Sequence, residues 1–370
     1  MLIGVFVVLG VAVYQFTAPP PPPGSSDTSV GGIFRNIRRG MRGARESATA
    51  DSTVTAAVAP AVQTLRVNFA RMSDVTIAGE PRNDVTAEIH VTARGFDQAE
   101  AKSNAESVKV RIENTADAIV VSQDLAASVT IGRRTPPPQF SVTVHVPQRL
   151  SLRMEAHFGH LVVTNLAGAE IMGARGETRI ADIAGRLEIT HAGGSIDIAS
   201  AGELKLSARN SRGTVKNIRG PVALDATGGD LTLSAIAGPL ELDCRNTDLR
   251  LQEIAQLKGL RAMVTGGELR VDGLRTESRI DGHNTDIDVK LAAAAPVTIY
   301  NLGEIVVTPP PGGYTLDAVA SDGRITMEDG SVEVSDGADS RAAGKVRGGG
   351  AALTLRSTRG RIEIRKAAVK

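Results

Sequence analysis

The feature that most constrains this chain is a short pattern that returns about every 18 residues. It reads Gly159-His-Leu-Val-Val-Thr-Asn-Leu-Ala-Gly168, Gly176-Glu-Thr-Arg-Ile-Ala-Asp-Ile-Ala-Gly185, Gly229-Asp-Leu-Thr-Leu-Ser-Ala-Ile-Ala-Gly238, Thr247-Asp-Leu-Arg-Leu-Gln-Glu-Ile-Ala-Gln256 and Gly267-Glu-Leu-Arg-Val-Asp-Gly-Leu-Arg-Thr276, with looser copies from Gly194, Gly213 and Thr285. Successive starts lie 17, 18, 19, 16, 18, 20 and 18 residues apart. A globular core has no need of such a period. Stacked repeats do, because each turn of chain can bury its apolar side only against the next.

A second alternating run sits between the copies, at Leu187-Glu-Ile189, Leu204-Lys-Leu206, Val222-Ala-Leu224 and Leu240-Glu-Leu242. Period two sends Leu, Ile and Val to one side and Glu, Lys, Arg and Thr to the other, the pattern of a half-buried strand. The expected fold is all-β: a parallel, β-helix-like β-solenoid with rungs of about 18 residues, each strand pairing with its equivalents about 4.8 Å above and below. The corners agree. Thr227-Gly-Gly-Asp230, Arg245-Asn-Thr-Asp248, Thr265-Gly-Gly-Glu268 and His283-Asn-Thr-Asp286 occupy equivalent places, and Gly and Asn tolerate the positive φ of a sharp turn.

Composition narrows the function. Aromatic content is 3% with no Trp, so the core must be built from Val, Ile, Leu and Ala. Lys and Arg number 42 against 41 Asp and Glu, a net charge of +1 without the basic footprint of a nucleic-acid binder. The single cysteine, Cys244, continues the alternation Leu240, Leu242, Cys244, so it reads as a small inward hydrophobe rather than a reactive thiol.

Flanking regions are expected as follows. Residues 1–16 carry no charged side chain and read as a signal segment or short membrane anchor, with no small-x-small cleavage site before the Pro19–Pro23 run. Arg35, Arg38, Arg39, Arg42 and Arg45 follow the apolar run and none precedes it; taken literally, the positive-inside rule would keep the body cytoplasmic, in conflict with an exported protein. Residues 17–61 read as a Pro-rich and basic disordered tether. Residues 62–150 form a β-rich lead-in that caps the coil, with candidate strands from Thr64, Val75, Val85, Val108, Ala118 and Phe140 and a helix over 96–107 capped by Asp97. The solenoid is expected over 151–334, a flexible Gly- and Ala-rich excursion over 335–350, and final strands with a basic tail over 351–370. In that tail Arg365, Lys366 and Lys370 would discourage end-to-end pairing. A shortened repeat at Gly213–Gly220 leaves the register there open.

An N-terminal apolar segment, a β-rich lead-in, a strand ending Val146-Pro147-Gln-Arg-Leu150, and then repeats such as Gly229-Asp-Leu-Thr-Leu233 together resemble the bacterial DUF4097, or putative adhesin, family. The resemblance covers roughly 62–300. It implies a non-enzymatic, envelope-associated β-solenoid, and the adhesin label does not establish what is bound.

Candidate chemistry is sparse. Stacked corners would align Asp230, Asp248, Glu268 and Asp286 about 4.8 Å apart, a carboxylate column that could hold cations between rungs or simply be solvated. His157, His160, His191 and His283 fall near corners and read as surface histidines, since zinc needs three or four converging ligands. Asp243 with Asp248, or Asp281 with Asp286, would pair only by chance. No nucleophile elbow, phosphate loop or cofactor motif is present. The sequence thus predicts no enzyme and no cofactor, but a membrane-anchored, extracytoplasmic scaffold or adhesin-like module for an envelope protein or polymer. The alternatives are a polymerising, bactofilin-like solenoid and a carbohydrate-active β-helix enzyme.

Overall fold

The computed structural model describes residues 46–69, 74–125, 137–155, 157–328, 330–335, 337 and 339–366. The apolar segment, the proline run and the basic stretch through Arg45 lie outside the described residues. What is described is almost entirely β-strand, with one helix. The described residues fall into two compact units, one within 46–53, 88–110 and 123–141 and the other within 54–87, 111–122 and 142–366.

The smaller unit carries the helix Gln98–Glu106. Its start follows from capping chemistry: the Asp97 carboxylate accepts the Glu100 N–H at 2.9 Å and the Glu100 carboxylate accepts the Phe96 N–H at 3.1 Å. Such a cap is worth about 1 kcal/mol. Only Ala101 and Ala105 of the helix are buried.

The larger unit is built on two parallel ladders in which residues about one repeat apart are hydrogen-bonded neighbours. In the first, Val75 pairs with Leu161 and Leu161 with Thr178. Further along, Gly213, Leu231, Leu249, Leu269, Ile287, Ile305, Ile362 and Ile325 follow one another in register. In the second, Leu65, Leu152 and Ala169 are in register, and so are Leu204, Val222, Leu240, Leu260, Ser278, Val297, Leu353 and Leu316. Nearly all of these side chains are buried, and fully burying one Leu, Ile or Val stabilises by about 1.5–3 kcal/mol. Because the side-chain period is two, one set of alternate residues fills these columns and the other faces solvent.

The 51-residue strand Gly168–Ile218 is a run of ladder hydrogen bonds rather than one straight element. Positive φ bends it at Gly176, Asp182, Gly194, Ser200, Asn210, Gly213 and Asn217. The column Asn210, Gly228, Asn246, Gly266, Asn284 is left-handed throughout. Asn and Gly alternate along it for a packing reason: a Cβ on Gly228 would lie 2.6 Å from the Asn210 Oδ1, and one on Gly266 2.5 Å from the Asn246 Oδ1. Register at Gly213 is unbroken, with Arg212 beside Asp230 and Thr214 beside Thr232.

Several expectations need correction. The strand Glu46–Ala57 occupies the end of the expected disordered tether; its alternation is written in Ser, Thr and Ala, too weakly apolar to stand out. The strands Thr64–Asn68 and Asp74–Glu80, in the expected lead-in, pair in register with Ser151–Glu155 and Phe158–Leu166, as strands covering a first repeat would. The expected flexible excursion contains the strand Asp339–Val346, antiparallel to Tyr314–Ser321, with Ser340, Ala342 and Val346 buried.

Sequence order also fails at this end. The last strands, Ala351–Thr358 and Ile362–Ile364, lie between Val297–Thr308 and Tyr314–Met327 in the ladders. Arg365, expected in a terminal basic tail, is therefore inside the stack, 2.8 Å from Glu363 and 3.6 Å from Asp288.

Candidate functional site

The corners are structural. Along one of them Ser211, Gly229, Thr247, Gly267, Thr285 and Gly303 succeed one another, and the hydroxyls of Ser211, Thr247 and Thr285 donate to the carbonyls of Arg209, Arg245 and His283. Gly229 leaves no room for a side chain, since a Cβ would meet the Ser211 carbonyl oxygen at 1.9 Å. At the next corner position the amide of buried Asn301 donates to the carbonyls of Thr285 at 2.6 Å and Glu304 at 2.9 Å. Gly282 makes space for it. Sequence reasoning missed Asn301, although an Asn standing where Cys244 and Val264 stand in earlier repeats is a signal.

The acidic column is aligned as expected. Asp230 pairs in register with Asp248, and Glu268 with Asp286. Its carboxylates do not converge, however. Asp248 accepts the Glu268 backbone N–H at 3.1 Å, while the Glu268 carboxylate accepts from Arg270 at 2.6 Å. Asp230 and Asp286 remain at the two ends, about 14 Å apart at three ladder steps. Among the described residues no three His, Cys, Asp or Glu side chains are placed to hold a metal ion.

Two of the four corner histidines are not on the surface. His157 is 2% exposed and His191 0%. The His191 Nδ1 lies 2.7 Å from the Ser211 hydroxyl, and in both rings Nε2 is buried without a partner among the described residues. Burial pushes both imidazoles below their ordinary value, which keeps them neutral. His160 pairs with Glu177 at 3.2 Å, and His283 is exposed.

Cys244 is buried as expected. Burial, helped by the charges of Asp243 and Asp225, pushes its thiol up to about 12. Asp243 stands on the second ladder and Asp248 on the first. Asp281 is held by Arg279 through two hydrogen bonds of 2.8 and 3.1 Å.

Besides a concavity of about 530 Å³ lined by Arg66, Arg153 and Glu170, a second has the size of a binding groove. It encloses about 560 Å³ along the outward side of the second ladder. Its lining includes the small residues Thr190, Ser207 and Ala223, the charged residues Glu188, Lys205, Asp225, Glu241, Asp243 and Arg261, and Met172 and Met263, the first and last of these along the ladder. Met172 is 43% exposed, Met263 54% and Tyr300 41%, and these are the large exposed hydrophobics among the described residues. All three occupy the same outward position of the second ladder, the one that follows Ile171, Ala262 and Ile299. Sequence reasoning passed over them, although a Met on the polar side of an alternating strand was visible.

No family model matches the chain, and no curated protein matches it. The likeness to DUF4097 thus rests on the residues quoted above. Three solved structures are similar over most of the chain. A putative cell adhesion protein from Clostridium sporogenes is 10% identical with a TM-score of 0.19, covering 86% of this chain and 100% of its own. A putative lipid binding protein from Parabacteroides distasonis is 12% identical with a TM-score of 0.31, covering 86% and 97%. A putative adhesin from Bacteroides fragilis is 10% identical with a TM-score of 0.22, covering 87% and 97%. At those identities and scores neither fold nor function is carried over to this chain.

Proposed function

We propose that the two ladders are the sides of a β-solenoid with rungs of about 18 residues, and that the chain is a non-catalytic, adhesin-like binding module of the cell envelope. In this reading the DUF4097-like repeats supply an extended surface, residues 1–16 hold the chain at a membrane, and the body lies outside the cytoplasm. The observation that carries the reading is the outward lattice: Thr214, Thr232, Arg250, Arg270 and Asp288, for example, follow one another in register on the outward side of the first ladder. Such a lattice presents many equivalent, regularly spaced contacts and suits recognition of an extended partner.

The reactive groups behave as structure in this reading. The Cys244 thiol is buried and protonated, His191 is tied to Ser211, and Glu268 and Asp281 are neutralised by Arg270 and Arg279. The polymerising alternative is disfavoured by Asp339–Val346, which runs antiparallel at the end of the second ladder and cannot continue a parallel stack.

The test is labelling in cells. With the full-length chain expressed in a bacterium, Lys216→Cys should react with a membrane-impermeant maleimide when only the outer envelope is breached, while Cys244 stays unlabelled. Labelling only after the inner membrane is lysed would overturn the placement. Turnover of a polysaccharide or peptidoglycan fragment that Asp243→Asn abolishes would overturn the non-catalytic reading.

A further inference from the structure

Within that reading, on which this inference rests, we propose that the groove between Met172 and Met263 is a docking site for an extended polypeptide segment whose groove-facing side chains are apolar at both ends and basic between. Three observations lead there.

The first is charge. Asp225 and Asp243 are neighbours in register, and Glu241 lies beside Ala223 in the same pair of strands. Like charges directly opposite one another destabilise a sheet. Some carboxylates of this ladder are offset: Lys205 sits 2.8 Å from Glu188 at one side of the groove, and Arg153 2.8 Å from Glu170 beyond it. In the groove, Asp225 and Glu241 have no ion-pair partner among the described residues, and Asp243 has only Arg245 at 3.8 Å. Arg261 is the neighbour of Glu241 in register, but no ion pair joins them. The lining keeps an excess of negative charge that a cationic partner would neutralise.

The second is the apolar ends. Methionine is flexible and polarisable, and fits varied side chains; here Met172 and Met263 are solvent-exposed at the two ends of one acidic groove. The third is length. Met172 and Met263 are five ladder steps apart, about 24 Å, which an extended segment of about seven residues spans. Alternate side chains of such a segment face the groove, so those at its two ends would set apolar groups against the methionines and those between them basic groups along Asp225 and Asp243. The small lining residues Ser207 and Ala223 leave room for a backbone.

The experiment uses the full-length chain and three labelled seven-residue peptides with Leu at positions 1 and 7, Ser at positions 2, 4 and 6, and Lys, Glu or Ser at positions 3 and 5. Fluorescence anisotropy should show binding of the Lys peptide alone. Its affinity should fall about tenfold between low and high salt, as expected for exposed charge pairs, and about tenfold or more in the double variant Asp225→Asn, Asp243→Asn. Met263→Ser should weaken it several-fold, and Arg270→Ser, away from the groove, should not change it. Equal binding of the Glu and Lys peptides, an unchanged affinity in the double variant, or binding of a cationic glucosamine oligomer in place of the Lys peptide would each overturn the proposal. A photo-crosslinker at Ser207 should capture the Lys peptide, and capture from Lys216 instead would move recognition to the other ladder. That last result would sink the groove and leave the binding-module reading standing, because the maleimide test does not depend on it.

Discussion

The outward sides of the two ladders use their polar residues differently. On the first, charges close on one another within and between repeats: Arg270 with Glu268, Lys290 with Asp272 at 2.8 Å, Arg361 with Glu304 at 2.7 Å, and Arg365 with both Glu363 and Asp288. On the second, similar pairs stand at Arg153 with Glu170, Lys205 with Glu188 and Arg279 with Asp281, but between the last two lie Ser207, Ala223 and the stacked carboxylates Asp225 and Asp243. Parallel, in-register stacking sets equivalent positions over one another, so every outward column must vary its charge or carry repulsion. The first ladder does the former only in part, since Asp230 with Asp248, Glu268 with Asp286 and Arg250 with Arg270 keep like charges in register. The middle of the second carries repulsion inside a concavity, and that is where a partner would relieve it.

The comparison breaks first if inward and outward positions are not distinct. Leu231 lies between Gly213 and Leu249 in the first ladder. Leu231→Asp should destabilise by about 4 kcal/mol or more, since it places an unpaired carboxylate in an apolar column, and Leu224→Asp should do the same in the second ladder. Thr232→Asp, one residue along and outward, should change stability by less than about 1 kcal/mol. Equal thermal shifts for Leu231→Asp and Thr232→Asp would refute the alternation.

A smaller effect separates the corners from the ladders. Gly229→Ala must both adopt a φ near +100° and move the Ser211 carbonyl aside, so a loss of about 2–4 kcal/mol in denaturant titration is expected. Gly193 has a similar φ of +86° but nothing within 4 Å; Gly193→Ala should cost only the backbone strain, about 1 kcal/mol.

Next comes pH. His157 and His191 have folded values depressed by burial from an ordinary 6.5. The unfolded chain therefore binds protons that the folded chain does not, and stability is full above about 6.5 and declines as pH falls from there toward the folded values. Each histidine contributes separately, so His191→Phe should reduce the slope of melting temperature against pH in that window without abolishing it. An unchanged slope in the double variant His157→Phe, His191→Phe would show that neither is buried neutral.

The smallest expected effect is at the surface. Arg270→Ala should cost no more than about 1 kcal/mol, and the difference from the native chain should shrink in high salt. A larger, salt-independent loss would mean that the first ladder depends on its ion pairs for more than solvent-facing charge balance.

Much of this was written in the period. The strands from Thr64 to Leu291, the capped helix with Asp97, and the inward placing of Cys244 follow from alternation, spacing and capping, all of which are local. The site was less legible. The column Asp230, Asp248, Glu268, Asp286 was aligned correctly from the repeat, but alignment of backbones does not say where side chains turn, and Arg270 and a backbone N–H claimed two of the four. His157 and His191 looked like surface corner residues because spacing along a strand cannot show on which side of a corner a ring packs.

The sequence by itself determined the repeat length, the two alternating strands in each repeat, and the residues that fill their inward columns, because these depend on side-chain period and on φ at Gly and Asn. Only the tertiary structure decided which repeats are neighbours. It inserted Ala351–Ile364 between Val297–Thr308 and Tyr314–Met327, and it turned Asp339–Val346 antiparallel against the end. Each strand of a parallel ladder offers the same hydrogen-bond pattern on both edges, so the backbone accepts any equivalent strand there. Side-chain fit and chain connectivity between distant segments, which no local pattern records, make the choice.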